Sequence, residues 1–416
     1  MKFGGTSVAN LDKISNVADI VEREQEKHKI IVVLSAMAGT TNHLQAYLDK
    51  IKSSPSPEND LVLTSGEQIT VGLLSSILNQ RKIKSMPILG WQIPIITDEY
   101  HEKAKILNIN KEKILSHLKK FDVLVLAGFQ GVSPRTKDVT TLGRGGSDLT
   151  AVALAAQFQA KRCEIFTDVA GVFTAHPRFV PTARLIPKMS WGSLVRLAGS
   201  GVGVVHARAA RVAYRYNIPL WVREAHPTME DKVTVVEGST LEQSVVEGIA
   251  CVERATFLKG QLNQGEIKLL QELDGEILFS VYQGGESSVC LLGEVSDTLL
   301  GLLKERGSQN IQVQHQVACL TIIGNGLLDI EGLMQKALHQ EALHIDLSDT
   351  QLRLVVVKER FESSLESIHS FLEETATRCH PDSELVKYQV NTTFLQNGHF
   401  LVCTKSRPSP SAGIST

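Results

Sequence analysis

The sequence predicts an α/β protein in which a mainly parallel β-sheet is covered by helices, followed by a smaller α+β unit. Three observations carry this expectation. From residue 1 to about 225, short β-rich runs alternate with amphipathic stretches, the rhythm of strands joined by crossover helices. The run VLVLAGF, Val123 to Phe129, is apolar throughout, as a strand buried on both faces must be. Beyond about residue 245 the order changes, and part of it reads β-α-β-α, a ferredoxin-like series.

In chain order, KF is followed by a segment from Asn10 whose Leu11, Ile14, Val17, Ala18 and Val21 share one helical face. IIVVLSA, Ile30 to Ala36, reads as a strand ending in the turn AGTTN. Leu61 to Asn79 has a helical pattern. After VLVLAGF, TLGRGGSD leads into the Ala-rich helix LTAVALAAQFQA. EIFTDV gives a strand, ARAARVAYRYN a helix and IPLWVRE a strand. Residues 225 to 245 lose this rhythm and read as a domain boundary. The second half then offers VACLTIIG (Val317 to Gly324), the helical DIEGLMQKALHQEALH, the strand LRLVVVKE (Leu352 to Glu359) and the helical FESSLESIHSFLEE. A hairpin is expected around Asn397-Gly398, whose residue types suit a tight turn. The closing RPSPSAGIST has the composition of a frayed tail.

Lys and Arg (43) nearly balance Asp and Glu (45), which argues against a nucleic-acid-coating surface and for a small-molecule protein. The six cysteines lack CxxC spacing and the 13 histidines lack HxH or HExxH pairing. Neither a disulfide framework nor a protein-ligated metal is therefore expected. With no export signal and no run of about 18 apolar residues in the sequence, the expected location is the cytoplasm, away from membranes.

Several segments have the chemistry of an anion site. Gly4 and Gly5 follow the first strand, where the lack of a Cβ lets a ligand approach the backbone. Thr6 or Ser7 can cap the next helix, whose N-terminus attracts phosphate, and Lys2 adds a point charge. TLGRGGSDLT, Thr141 to Thr150, has three glycines in four positions, with Arg144 and Asp148 as opposite charges beside a potential nest of N–H groups. Glu67, in TSGEQIT, reads equally as a capping-box acid or as a partner for an amino group. Ser35 and Thr41 lie at the carboxyl end of a strand, where open α/β sheets bind ligands. Thr167, Asp168, Phe173 and Arg178, in FTDVAGVFTAHPR, suit either nucleotide contacts or a structural turn with a packed Phe.

Taken in order, KFGGTS, SAMAGTTN, SGE, GRGGSD, TDVAGVFTAHPR and VVHA resemble the aspartate kinases of the amino-acid kinase family, over nearly all of residues 1 to 225. The resemblance implies an αβα sandwich at residues 1 to 240. Residues 241 to 416 would be a regulatory region of two divergent ACT-like modules and a flexible tail. It implies transfer of the γ-phosphoryl of ATP, carried with Mg²⁺, to the side-chain carboxylate of L-aspartate. The product is 4-phospho-L-aspartate, the first intermediate towards lysine, methionine, threonine and diaminopimelate. By the same resemblance Lys2 stabilises the transferring phosphoryl and Gly4 and Gly5 line the phosphates. Glu67, Arg144 and Asp148 hold aspartate with Ser35 and Thr41 nearby, and Thr167, Asp168, Phe173 and Arg178 meet the nucleotide. Lysine as an effector and a homodimer or higher homo-oligomer are implied partners.

The chain departs from the family pattern on the nucleotide side. Gly203 stands where a lysine is usual, in GVGVVHA, and His176 where an aspartate is usual, in TAHPR. A weaker or differently held nucleotide is expected. The segment between AGTTN and SGE is short, which implies a trimmed helical insertion. The stretch from about Gly260 to Gln314 lacks a clear glycine-turn-helix effector signature. Only Met1 precedes Lys2, so either the first strand is cut short or the native chain begins upstream. The competing readings are a non-catalytic amino-acid sensor and a related kinase acting on another carboxylate.

Overall fold

A computed structural model describes residues 1–201, 203–225, 232–238, 246–273, 276–305 and 310–379, of which Met1–Ala376 form one compact unit. Eight strands make the central sheet. Their spatial order is Lys188–Met189, Val233–Val236, Leu220–Glu224, Cys163–Thr167, Lys2–Phe3, Ile30–Leu34, Val123–Ala127 and Ser85–Ile88. Neighbours pair in parallel except Leu220–Glu224 with Val233–Val236.

Alternating residues of these strands feed two cores, because successive side chains point to opposite faces. Val33, Leu124, Leu126 and Ile165 pack with Val152 and Leu154 of helix Gly146–Phe158 and with Ala209 and Ala213 of helix Ala207–Tyr216. Phe3, Val32, Leu34, Val123 and Val125 pack with Ile14, Val17 and Val21 of helix Leu11–Gln25 and with Val71, Leu74 and Leu78 of helix Pro57–Gln80. This is the expected αβα sandwich. The same alternation sends Phe3 to the second core, stacked on Phe166 at 4.4 Å, and turns Lys2 toward helix Gly146–Phe158.

Local signals moved several boundaries. Helix Pro57–Gln80 starts four residues before the expected Leu61, because Ser56 caps it through Asn59 N–H and Pro57 suits its first turn. Glu67 is thereby well inside the helix, and the capping-box reading falls. Neither Thr6 nor Ser7 caps a helix. Gly5–Val8 is a 3₁₀ turn, and Asn10 caps helix Leu11–Gln25 by accepting from Lys13 N–H at 2.9 Å. Helix Pro57–Gln80 is also the one helix among the described residues long and apolar enough to cross a membrane, yet half of that window is buried inside the protein. In the supposed boundary at 225 to 245, the β-branched VTVV forms strand Val233–Val236 and extends the central sheet.

A four-stranded sheet that the sequence reading did not assign, in the order Ile106–Ile109, Ile95–Thr97, Gln130–Val132 and Val139–Thr141, delivers the chain into GRGGSD. The second half folds around a six-stranded antiparallel sheet in the order Ile277–Gln283, Glu286–Leu292, Val246–Gly260, Gln312–Gly324, Gln351–Val357 and His344–Leu347. Its two long central strands each serve two units, with an irregularity between Val252 and Ala255 marking the change. Ala255–Gly260 begins a complete β-α-β-β-α-β unit. It runs through helix Gln264–Leu273, the two strands from 277 to 292, helix Asp297–Glu305 and the start of Gln312–Gly324.

The rest of Gln312–Gly324 opens a second unit, with helix Leu333–Leu338, strands His344–Leu347 and Gln351–Val357, and helix Phe361–Cys379. Its fourth strand is borrowed from upstream, Val246 to Val252. The first unit is therefore inserted into the second. The expected β-α-β-α series gains a strand at its EALH end, where His344–Leu347 pairs with Gln351–Val357. Cys163, Cys251, Cys290 and Cys319 are buried free thiols. The expected hairpin at Asn397-Gly398 and the RPSPSAGIST tail lie outside the described residues.

Candidate active site

Parallel strands Lys2–Phe3, Ile30–Leu34, Val123–Ala127 and Cys163–Thr167 end together, and the loops that follow them converge with the N-terminus of helix Gly146–Phe158. Lys2 lies in register with Val33 and Ile165. Its Nζ is 2.7 Å from Asp148 Oδ1, with both side chains about one-tenth exposed. The contact is an ion pair and not an aligned hydrogen bond. Asp148 Oδ2 accepts from His206 N–H at 3.1 Å. A cation and an anion have thus been withdrawn from water together, where a charge without partners would be costly.

The glycines act by the absence of Cβ. A Cβ on Gly4 would stand 3.4 Å from Lys2 Nζ, and one on Gly5 would stand 2.9 Å from the Ala36 carbonyl oxygen. These positions keep the backbone beside Lys2 open. Gly143 and Gly145 adopt left-handed φ values of 75° and 66°, which glycine does without strain. A Cβ on Gly145 would lie 2.1 Å from His206 Cγ. The imidazole therefore sits directly on the GRGG turn. Its own side chain caps helix Ala207–Tyr216 through Arg208 N–H, and burial lowers its pKa.

Glu67 reaches the same region from helix Pro57–Gln80. It is 3% exposed, and its Oε1 accepts from Ala36 N–H at 3.0 Å. Burial pushes its pKa up to about 7, against the opposing pull of that N–H. Its other oxygen is buried with no hydrogen-bond partner among the described residues, which marks it as an acceptor for something else. Ser35 Oγ meets Ser147 Oγ at 2.8 Å. Thr41 lies in helix Thr40–Lys50, launched by Gly39 at φ 82°. Gly66 lets the Ser35–Thr40 turn approach, since its Cβ would be 2.6 Å from that of Ala36. Arg144 is exposed at the crest of the GRGG turn, with no recorded side-chain partner among the described residues.

The residues expected at a nucleotide spread outward from strand Cys163–Thr167. Thr167 Oγ1 donates to Asp168 Oδ1 at 3.1 Å. Phe173 is half-buried and bridges to Leu185, and Arg178 is exposed over the Phe179 ring at 5.3 Å. His176 Nδ1 accepts from Arg178 N–H. Gly203 has room for no side chain, since a Cβ would fall 2.6 Å from the Val205 carbonyl oxygen and 2.9 Å from Ala198 Cα.

Four supporting residues were not singled out from the sequence. Ser147 pairs with Ser35, and His206 packs on Gly145. Arg208 donates to the carbonyls of Leu142 and Ala104, on either side of the GRGG entry. Asp60, fully buried, accepts from Thr141 Oγ1 at 2.5 Å and from Glu102 N–H at 3.1 Å. The signals available were that Ser147 and His206 stand inside the quoted GRGGSD and VVHA, and that His206 comes just before the Ala-rich ARAARVAYRYN, the place for a cap. A cavity of about 290 Å³ lined by Met1, Ile31, Leu154, Phe158 and Arg162 lies toward the amino ends of the strands, and neither Lys2 nor Asp148 lines it. No three His, Cys, Asp or Glu side chains among the described residues form a metal-binding group.

Known proteins resemble this chain along most of its length. Residues 1–224 match the model of the Amino acid kinase family. An aspartokinase of Geobacillus stearothermophilus is 32% identical over 88% of this chain and 95% of its own length. Aspartokinase 2 of Bacillus subtilis is 34% identical over 89% and 97%. The solved structure of E. coli aspartokinase III in complex with aspartate and ADP superposes with a TM-score of 0.75 at 24% identity, covering 89% of this chain and 98% of that one. With the family model over more than half the chain and aspartokinase relatives matched almost end to end, this chain belongs to the amino acid kinase family, on its aspartokinase branch.

Proposed function

We infer that the chain is an aspartate kinase that transfers the γ-phosphoryl of ATP to the side-chain carboxylate of L-aspartate, giving 4-phospho-L-aspartate and ADP. The observation that carries this reading is the buried Lys2–Asp148 pair facing open glycine backbone, with the Glu67 oxygen that has no partner among the described residues close by in the fold. Two anions must meet for this reaction, so the site needs positive charge for the phosphates and a separate recognition of the amino acid.

In this reading Lys2 holds the transferring phosphoryl, and Gly4 and Gly5 let the phosphates lie against the backbone. Arg144 clamps a substrate carboxylate with its forked donors. Glu67 and Asp148 receive the substrate ammonium, with Ser35 and Thr41 at the rim. Thr167, Asp168, Phe173 and Arg178 contact the nucleotide. Mg²⁺, brought by ATP, neutralises phosphate charge. The substrate carboxylate is ionised at neutral pH and attacks phosphorus directly. As the new O–P bond forms, the bond to the bridging oxygen breaks and ADP leaves with that electron pair. No general base is needed, and positioning and charge supply the catalysis.

Residues 1–240 form the catalytic part in this proposal, and 241–416 the regulatory part. The two ferredoxin-like units support the second assignment, with lysine as effector and a homo-oligomer joined through them. A coupled ADP-release assay with L-aspartate and MgATP tests the reading. Aspartate-dependent turnover is expected, with L-glutamate a poor acceptor. Tight aspartate binding without turnover would instead identify an amino-acid sensor.

A further inference from the structure

Residues 172–186 leave the end of strand Cys163–Thr167 as a narrow excursion. Its legs are tied by Thr174 N–H to the Arg184 carbonyl at 2.9 Å and by Ile186 N–H to the Val172 carbonyl at 2.8 Å. At the base Thr234 Oγ1 accepts from Val172 N–H at 2.8 Å and donates to the Ile186 carbonyl at 2.7 Å. At the tip Val180 N–H returns to the His176 carbonyl at 3.0 Å. This excursion carries Phe173 and Arg178, two residues assigned above to the nucleotide.

Its outer part is built against the second α+β unit. Ile249 N–H, from strand Val246–Gly260, donates to the Thr174 carbonyl at 2.8 Å. Ala175 and Val180 are buried in one core with Leu320, Leu354, Leu365 and Ile368, and Phe179 meets Phe361 edge-on at 5.0 Å. His369, on helix Phe361–Cys379 and 3% exposed, puts Nε2 3.1 Å from Thr174 Oγ1. The same oxygen accepts from Arg184 N–H at 3.0 Å. The Thr174 hydroxyl and the His369 ring nitrogen thus share one hydrogen bond, and burial favours the neutral imidazole. One turn on, Glu373 pairs with Arg184 at 2.6 Å.

We propose that His369 is a positioning residue for the nucleotide. Through Thr174 it fixes the stem of the 172–186 excursion, so helix Phe361–Cys379 governs affinity for MgATP and not for aspartate. The inference rests on the assignment of Phe173 and Arg178 to the nucleotide in the proposed function. The aspartate side has other supports: Asp148 is held by His206 N–H, Glu67 by Ala36 N–H and Ser35 by Ser147.

The test is a split in kinetic constants. His369→Ala is expected to raise KM for MgATP about three- to tenfold, the worth of one buried hydrogen bond, with kcat and KM for aspartate within about twofold. His369→Gln, whose amide can reach the same hydroxyl, restores most of the loss. The double variant with Thr174→Val loses no more than Thr174→Val alone. Calorimetric titration of MgADP onto each full-length variant reads the same effect without turnover. A wild-type chain that binds MgADP but phosphorylates no aspartate would overturn the functional reading and leave this test standing. If His369→Ala fails to fold, His369→Gln and Thr174→Val carry the comparison. Equal rises in both KM values, unchanged MgADP affinity in the folded variants, or Thr174→Val matching wild type overturns the proposal.

Discussion

Replacing Glu67 by glutamine should abolish two pH dependences at once. Burial raises the Glu67 pKa from its ordinary 4.5 to about 7, so the folded protein holds this proton more tightly than the unfolded chain. The sign follows directly. The folded state is favoured by this group when it is protonated, and that contribution is complete below about pH 4.5 and lost as pH rises through 7. The difference of about 2.5 units corresponds to about 3 kcal/mol. In urea unfolding at pH 5 and pH 8, wild type should lose about 2.5 kcal/mol more than Glu67→Gln across the interval. Catalysis should run the other way, because the substrate ammonium needs the carboxylate. With a pKa of about 7, the ionised fraction rises about tenfold from pH 6 to pH 8. KM for aspartate in wild type should fall by a similar factor over that range, while Glu67→Gln has a high, flat KM. A wild-type KM that is flat from pH 6 to 8, together with identical pH–stability slopes in the two proteins, would refute the reasoning.

Lys2→Met keeps the aliphatic stem and removes the charge, so turnover should fall about 10²- to 10³-fold. The melting temperature should drop by a few degrees, because among the described residues Asp148 then keeps the His206 N–H alone; full activity in steady-state assays contradicts the assignment. Gly145→Ala forces a Cβ into the His206 ring at φ 66° and should cost about 2 kcal/mol or more by chemical denaturation, with weakened aspartate binding. Introducing a lysine by Gly203→Lys, as the family resemblance would have it, should lower the melting temperature and leave MgATP affinity unimproved. The backbone at 203 admits no Cβ without moving Val205 or Ala198, and tighter nucleotide binding by calorimetry would show that reasoning wrong.

The sandwich was legible because its signals are local. Apolar runs such as Val123–Ala127 and helical stripes such as Ile14, Val17 and Val21 declare their faces by period alone. The ordered motifs around Lys2, Glu67, Arg144 and Asp148 were visible for a similar reason, as glycines and charges are conspicuous in an apolar background. What stayed hidden depends on distant partners. Nothing near His206 in sequence says that its ring will lie on Gly145 or its N–H on Asp148. The pairing of Arg208 with Ala104 spans about a hundred residues. The borrowed strand Val246 to Val252 could not be read either, since it completes a unit whose other strands begin some 70 residues later. Glu67 shows the opposite error. A residue motif near a presumed helix start suggested a cap, and the true start at Pro57 made it a buried side chain.

The most direct test of the account is product capture. An acyl phosphate reacts with hydroxylamine to give a hydroxamate, so incubating the full chain with MgATP, hydroxylamine and L-aspartate reports phosphorylation of a carboxylate itself. The account predicts aspartyl hydroxamate in proportion to ADP released, little product with L-glutamate, and near-background product from Lys2→Met. Folded wild-type protein that binds aspartate and MgATP yet forms no hydroxamate would contradict it.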